Sequence, residues 1–106
     1  MNILGRCISA SNPPYVIAEI SANHNGSIDK AKHCMNAARD AGAHAVKIQT
    51  YEPQTMTIKS SRDDFLIKGG LWDGYTLFDL YSEAQTPYSW HKELFDYAKK
   101  VGITLF

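Results

Sequence analysis

The sequence has no excess charge of either sign, because eleven lysine and arginine residues balance eleven aspartate and glutamate residues. A surface that binds nucleic acid or an anionic membrane needs a basic field, which this composition does not supply. No apolar run approaches the roughly 18 residues of a membrane span, and only Arg6 is charged near the N-terminus. The sequence therefore predicts a soluble, cytoplasmic protein whose ligand is small, with neither nucleic acid nor membrane as a partner.

Cysteine is scarce, and the two cysteines stand in no recognisable pattern. Cys7 and Cys34 form neither a CxxC pair nor a Cys/His spacing, so neither a zinc site nor a redox motif is predicted. Cys34 falls on an apolar helical stripe, where a buried free thiol is the common state. The sequence also lacks a glycine-rich phosphate loop and a Ser/His/Asp constellation.

A strand, a helix and a second strand follow one another in the first half of the chain. Residues 15–21 form a short apolar run behind a proline pair, which keeps a helix from entering it. Ser27 can cap a helix with apolar positions at helical spacing up to Gly42, and residues 45–50 form the next strand. Since this connection is too long for a hairpin, the two strands are predicted to be parallel.

The same order returns near the end of the chain. Thr86 and Pro87 are typical of a helix N-cap and first turn, Gly102 ends that helix, and residues 103–106 begin a third strand. About three βα units are thus predicted, as the N-terminal portion of a TIM-type (β/α)8 barrel. A buried parallel strand does not remain at an open edge, so residues 1–106 are expected to be the first part of a longer barrel domain.

Residues 51–85 separate the second strand from the second helix, and we call them the lid segment. A βα loop usually has roughly 2 to 6 residues. The lid segment is far longer and carries too many large apolar residues to remain solvated. We expect it to fold over the barrel mouth.

Polar side chains occupy the inner face of the predicted strands. Side chains alternate along a strand, so Lys47 and Gln49 share one face, and Glu19 in the first strand can point the same way. Barrels and open α/β sheets bind ligands at the carboxyl ends of their strands. A Glu19–Lys47 ion pair that only fills the barrel is the alternative. We favour a ligand site, because charge buried in a strand needs a reason.

The loops offer less specific candidates. Asn23 begins an Asn-His-Asn-Gly turn, in which His24 is more typical of a hydrogen-bonded turn residue than of a metal ligand. Charged, aromatic and glycine residues lie together in the lid segment, where a solvated loop is an equally good interpretation. A structural role is predicted for three further histidines, His33, His44 and His91.

Three stretches resemble the sialic acid synthase family, and most of all its pseudaminic acid synthase branch: IAEISANHNGS (17–27), AGAHAVKIQTY (41–51) and RDDFLIKGGLWDG (62–74). Enzymes of that family condense phosphoenolpyruvate with an acetamido sugar to a nine-carbon 2-keto acid, release phosphate and use a divalent metal. The resemblance implies a β/α barrel followed by an antifreeze-like domain, which is absent from residues 1–106, and a full-length homodimer.

The resemblance also implies roles for individual residues. By motif, Lys47 resembles the lysine that binds phosphoenolpyruvate, Gln49 a sugar contact, and Glu19 the active-site acid of the first strand. The metal, Mn²⁺ or Mg²⁺, would take its ligands from outside residues 1–106. Further substrate-binding candidates lie in the first loop and the lid segment: Asn23, Arg62, Lys68 and Trp72.

Several other functions fit the sequence. A related synthase would make N-acetylneuraminate or legionaminate instead. A Schiff-base aldolase would use Lys47 as a covalent nucleophile. A non-catalytic α/β binding module would need only the three strands. By itself, the 106-residue chain is expected to be poorly stable and inactive, because three strands leave a barrel open.

Overall fold

A computed structural model describes all residues from 1 to 106 and shows a mixed α/β fold. A parallel sheet of three strands carries two long helices, and a small antiparallel hairpin precedes it. Two 3₁₀ turns, Asp63–Phe65 and Tyr88–Trp90, interrupt the later part of the chain. The elements are β1 (Asn2–Ile3), β2 (Arg6–Cys7), β3 (Ile17–Glu19), α1 (Ile28–Asp40), β4 (Ala45–Lys47), α2 (Pro53–Met56), α3 (Leu77–Ala84), α4 (His91–Val101) and β5 (Thr104–Leu105).

The parallel sheet has the order β3-β4-β5, with β4 in the centre. Ile17 pairs with Ala45 and Glu19 with Lys47, so β3 and β4 end side by side. On the other side of β4, Ala45 pairs with Thr104. The prediction of parallel strands linked by helical crossovers is confirmed. The strands are shorter than predicted, since β3 ends at Glu19 and Ser21 takes a positive φ of 47°.

The hydrophobic core lies between one face of this sheet and helices α1 and α4. Val46 and Ile48 from β4 and its extension meet Met35 of α1 and Leu94 of α4. Burial of their apolar surface is the main force that holds these layers together. The alternation predicted for β4 is therefore confirmed. Cys34 packs at the edge of this core and is half-buried, which is less than the sequence predicted.

Helix boundaries follow local signals in two places and depart from them in a third. The Ser27 hydroxyl caps α1 by accepting from the amide of Lys30 at 3.3 Å, and Gly102 ends α4 with a φ of 76°, both as predicted. The prediction that Thr86 caps the last helix is wrong. α4 begins at His91, after a 3₁₀ turn that has no side-chain cap. Thr86 is buried, and its hydroxyl bonds to His24 instead.

The lid segment folds into short elements. α2 and α3 pack together, and the Thr76 hydroxyl caps α3 by accepting from the amide of Asp79 at 3.1 Å. A bridge between Leu66 and Thr76 closes a glycine-containing loop. At the tip of that loop Leu71 is 92% exposed. Met56 of α2 and Tyr81 of α3 lie near the residues that end β4, while the tip of the segment extends into solvent.

The N-terminal hairpin of β1 and β2 was not predicted. Its turn uses Leu4 and Gly5, both at positive φ (47° and 84°). Leucine rarely adopts this conformation, so Gly5 is the only residue of the pair that is typical of such a turn. Among the helices, none combines the length and the apolar composition needed to cross a bilayer.

Candidate functional site

Lys47 and Glu19 form an ion pair at the carboxyl ends of β4 and β3. The parallel register places them side by side, and Lys47 Nζ lies 2.7 Å from a carboxylate oxygen of Glu19. The other carboxylate oxygen accepts from the amide of Ser21 at 3.0 Å, where the chain turns away from the sheet. The strands therefore present a cation and an anion together on the face opposite the core.

The ion pair is partly exposed. Within residues 1–106 the Lys47 and Glu19 side chains are 40% and 36% exposed. An ion pair in such a setting contributes about 0.2 to 1 kcal/mol to stability. The same exposure leaves both groups accessible to a ligand.

A cavity of about 570 Å³ opens beside Lys47. Its size suits a small organic molecule. One wall is the end of β4 and the residues that follow it, and the opposite wall comes from the lid segment. The lining residues are Lys47, Ile48, Gln49, Thr50, Tyr51, Met56 and Tyr81.

Two tyrosines form the aromatic corner of the cavity. The rings of Tyr51 and Tyr81 meet edge to face, with centroids 5.8 Å apart. Burial raises the pKa of Tyr51, and Tyr81 adds a smaller contribution, so the phenol stays protonated at neutral pH. Its hydroxyl can therefore donate a hydrogen bond. The sequence did not single out Tyr51, Met56 or Tyr81 as site residues.

The other predicted site residues lie outside this cavity. Asn23 is exposed in the loop after β3. In the lid segment, Arg62 is exposed, Lys68 lies 3.6 Å from Asp63, and Trp72 packs against a neighbouring tyrosine. None of the four is among the lining residues. Their role in substrate binding stays a prediction.

The end of β4 is fixed to the start of α4 by two hydrogen bonds. The amide of Thr86 donates to the carbonyl of Gln49 at 2.9 Å, and the hydroxyl of Thr50 lies 2.6 Å from Nε2 of His91. His91 thus has the structural role that the sequence predicts. His44 has one as well, since its Nδ1 accepts from the amide of Val16 at 2.8 Å at the other end of the sheet.

His24 is a hydrogen-bonded turn residue, as predicted. Its Nδ1 accepts from the amide of Gly26 at 3.1 Å, and its Nε2 lies 3.3 Å from the hydroxyl of Thr86. Both ring nitrogens of His24 therefore have a hydrogen-bond partner.

Residues 1–106 contain no group of three or more His, Cys, Asp or Glu side chains arranged to hold a metal ion. Residues 1–106 therefore do not form a divalent-metal site by themselves.

The neutral form of His24 is expected to make stability depend on pH. Burial lowers the pKa of His24 below its ordinary value. The unfolded chain then binds the proton more readily, so stability falls as pH drops below about 6.5 and levels off below the folded-state pKa. Urea unfolding at about pH 7.5 and 5.5 should show a smaller loss for His24→Phe than for the unchanged protein. The exposed residue His33 provides the matched control, His33→Gln. An equal loss in all three proteins would contradict the expectation.

Comparison with known proteins points to one family. The model of the NeuB family matches residues 34–106. Pseudaminic acid synthase of Campylobacter jejuni is 51% identical over 92 residues, which cover 87% of this chain and 27% of that protein. Pseudaminic acid synthase of Helicobacter pylori is 47% identical over 94 residues, or 89% of this chain and 28% of that protein. The chain thus spans about a quarter of the length of these relatives.

A solved structure has the same fold. The crystal structure of the spore coat polysaccharide biosynthesis protein SpsE from Bacillus subtilis superposes with a TM-score of 0.63. The match covers all of this chain and 26% of that one, at 26% sequence identity.

Proposed function

Because the chain belongs to the NeuB family, we propose that it supplies the phosphoenolpyruvate-binding strands of a pseudaminic acid synthase. The whole protein would condense phosphoenolpyruvate with a 2,4-diacetamido-2,4,6-trideoxyhexose to a nine-carbon 2-keto sugar acid and release phosphate. The observation that carries this proposal is the placement of Lys47 and Gln49 beside a cavity at the carboxyl end of β4. The names of the two bacterial synthases support the choice of sugar.

The open face of the sheet suits a barrel. Ile17 is 47% exposed on the face that carries Glu19 and Lys47, although it lies in the strand β3. Apolar strand residues of a parallel sheet are normally covered on both faces. We propose that further strands of a (β/α)8 barrel cover this face in the whole protein, so that the ion pair points to the barrel interior.

The reaction makes one carbon–carbon bond and replaces the bridging carbon–oxygen bond by a bond to the oxygen of water. The methylene carbon of phosphoenolpyruvate attacks the aldehyde carbon of the open-chain sugar, whose oxygen takes a proton and becomes a hydroxyl. Water adds to the resulting cationic carbon and loses a proton. Phosphate then leaves with the bridging oxygen, the new hydroxyl gives up its proton as its carbonyl forms, and the 2-keto acid remains. A divalent metal would polarise the aldehyde, and its ligands would lie outside residues 1–106.

The residues of this chain would bind and orient the two substrates. The ammonium of Lys47 holds the anionic groups of phosphoenolpyruvate and balances the negative charge that develops as phosphate leaves. Gln49, which is exposed towards the cavity, offers an amide that can both donate to and accept from an acetamido group. Glu19 keeps Lys47 in place and can accept a proton at the strand end.

The lid segment would limit the access of water. Met56 and Tyr81 already form one wall of the cavity, and closure of the lid segment would bring Arg62, Lys68 and Trp72 towards the same mouth. Exclusion of bulk water protects phosphoenolpyruvate from hydrolysis before the carbon–carbon bond forms.

Isotope labelling tests the proposed reaction. The whole protein is incubated with the diacetamido sugar and phosphoenolpyruvate that carries ¹⁸O in its bridging oxygen. Mass spectrometry is expected to find a nine-carbon 2-keto acid and to find the label in the released phosphate. Label in the keto acid, or turnover of a monoacetamido hexose in preference to the diacetamido sugar, would contradict the assignment.

The Schiff-base alternative is less compatible with the geometry. A Schiff-base lysine must attack as a neutral amine, whereas Lys47 lies in an ion pair with Glu19. Borohydride in the presence of a keto acid is therefore expected to leave Lys47 unmodified.

A further inference from the structure

His24 and Thr86 are the two polar side chains that the fold buries almost completely, each at 1% exposure. They lie 62 residues apart in the sequence, and their polar atoms, Nε2 and Oγ1, are 3.3 Å apart. A buried polar group is costly unless it is paired. Each of the two side chains therefore needs the other, and together they join the loop after β3 to the segment before α4.

The hydrogen bonds of His24 show which of the two side chains donates in the contact between them. The amide of Gly26 donates to Nδ1 at 3.1 Å, so the ring proton must sit on Nε2. That N–H donates to the hydroxyl oxygen of Thr86. The indole of Trp90 meets the imidazole edge to face, with centroids 5.2 Å apart. The ring is thus held on three sides and points at Thr86.

Thr86 in turn holds the backbone at Gln49. Lys47 and Ile48 still belong to the bonding pattern of the sheet, because the Lys47 carbonyl accepts from Ile20 and the Ile48 amide donates to Phe106. The carbonyl of Gln49 lies beyond that pattern and accepts from the amide of Thr86 at 2.9 Å. The orientation of Gln49 therefore depends on Thr86, whereas the sheet itself fixes Lys47.

We propose that His24 is a positioning residue for Gln49, acting through the hydroxyl and amide of Thr86. The idea rests on the proposed function in one respect, the assignment of Gln49 as a contact of the acetamido sugar. It predicts a selective defect. Loss of the link should weaken binding of the sugar, which Gln49 contacts, and leave binding of phosphoenolpyruvate to Lys47 nearly unchanged.

A matched pair of substitutions at Thr86 tests the proposal in the whole protein. Thr86→Val keeps the shape of the side chain and removes the hydroxyl, so the KM for the sugar should rise roughly tenfold. The KM for phosphoenolpyruvate should stay within about twofold, because only one substrate loses its oriented contact. Thr86→Ser keeps the hydroxyl and should restore the sugar KM. An equal rise of both KM values, or none in either, would overturn the proposal.

Hydrogen exchange provides a readout that does not depend on the reaction. In Thr86→Val and in His24→Phe, which keeps a ring against Trp90, the residue-86 amide should exchange about tenfold faster than in the unchanged protein. The exposed control His33→Gln should leave it unchanged. If the unchanged protein makes no nine-carbon acid, the proposed function fails, and exchange at residue 86 alone decides whether the link exists. Equal exchange in all proteins would refute the link.

Discussion

Replacing Lys47 by methionine in the whole protein is expected to lower kcat/KM by roughly 10²- to 10³-fold. Methionine has a similar length but carries no charge, so the variant loses the cation that the proposal places on phosphoenolpyruvate. The ammonium also pairs with Glu19 at 2.7 Å, and Lys47→Met leaves that carboxylate facing the anionic substrate. Steady-state kinetics with phosphoenolpyruvate as the varied substrate measures the effect.

Two further lysine variants complete this test. Lys47→Arg keeps the positive charge in a larger, planar group and is expected to retain part of the activity. Lys100→Met removes an exposed lysine near the end of α4 and should leave kcat/KM unchanged. Normal activity in Lys47→Met would exclude Lys47 from the site, and borohydride trapping at Lys47 would replace the electrostatic role with a covalent one.

Replacing Leu94 by alanine is expected to destabilise the protein by about 2 to 5 kcal/mol. Leu94 is fully buried between α4 and the sheet, in the same cluster as Val46 of β4. The loss of its methyl groups leaves a cavity that helix and sheet cannot fully close. The midpoint of urea unfolding should fall, while the slope of the transition stays the same.

The neighbouring residue serves as the control. Phe95 is larger than Leu94 but is 37% exposed, and its ring centroid lies 6.1 Å from that of His91. Phe95→Ala should therefore shift the unfolding midpoint less than Leu94→Ala. A larger shift for Phe95→Ala would contradict this expectation. It would mean that another part of the whole protein covers the face of α4 that carries Phe95.

The sheet and its helices were predictable because their signals are local. Alternation placed Val46 and Ile48 towards the core and Lys47 on the other face, and the structure agrees. The helix limits at Ser27 and Gly102 follow from the geometry of a hydroxyl cap and of a left-handed C-terminus. Each of these signals lies within a few residues of the feature that it predicts.

Thr86 shows where a local signal loses to a distant one. A threonine followed by proline is typical of a helix start, but the Thr86 hydroxyl bonds to His24 and its amide bonds to Gln49. Both partners are far away in sequence, so the pattern near Thr86 contains no trace of them. The helix consequently begins at His91.

The sequence by itself determined which residue types stand at the carboxyl ends of the strands, because the two-residue period of a strand assigns each side chain to a face. Only the tertiary structure decided what those residues meet. The β3–β4 register set the 2.7 Å contact between Glu19 and Lys47. Packing of the lid segment brought Tyr81 to the cavity. The physical reason is that register and packing depend on contacts between segments tens of residues apart, which no local period encodes.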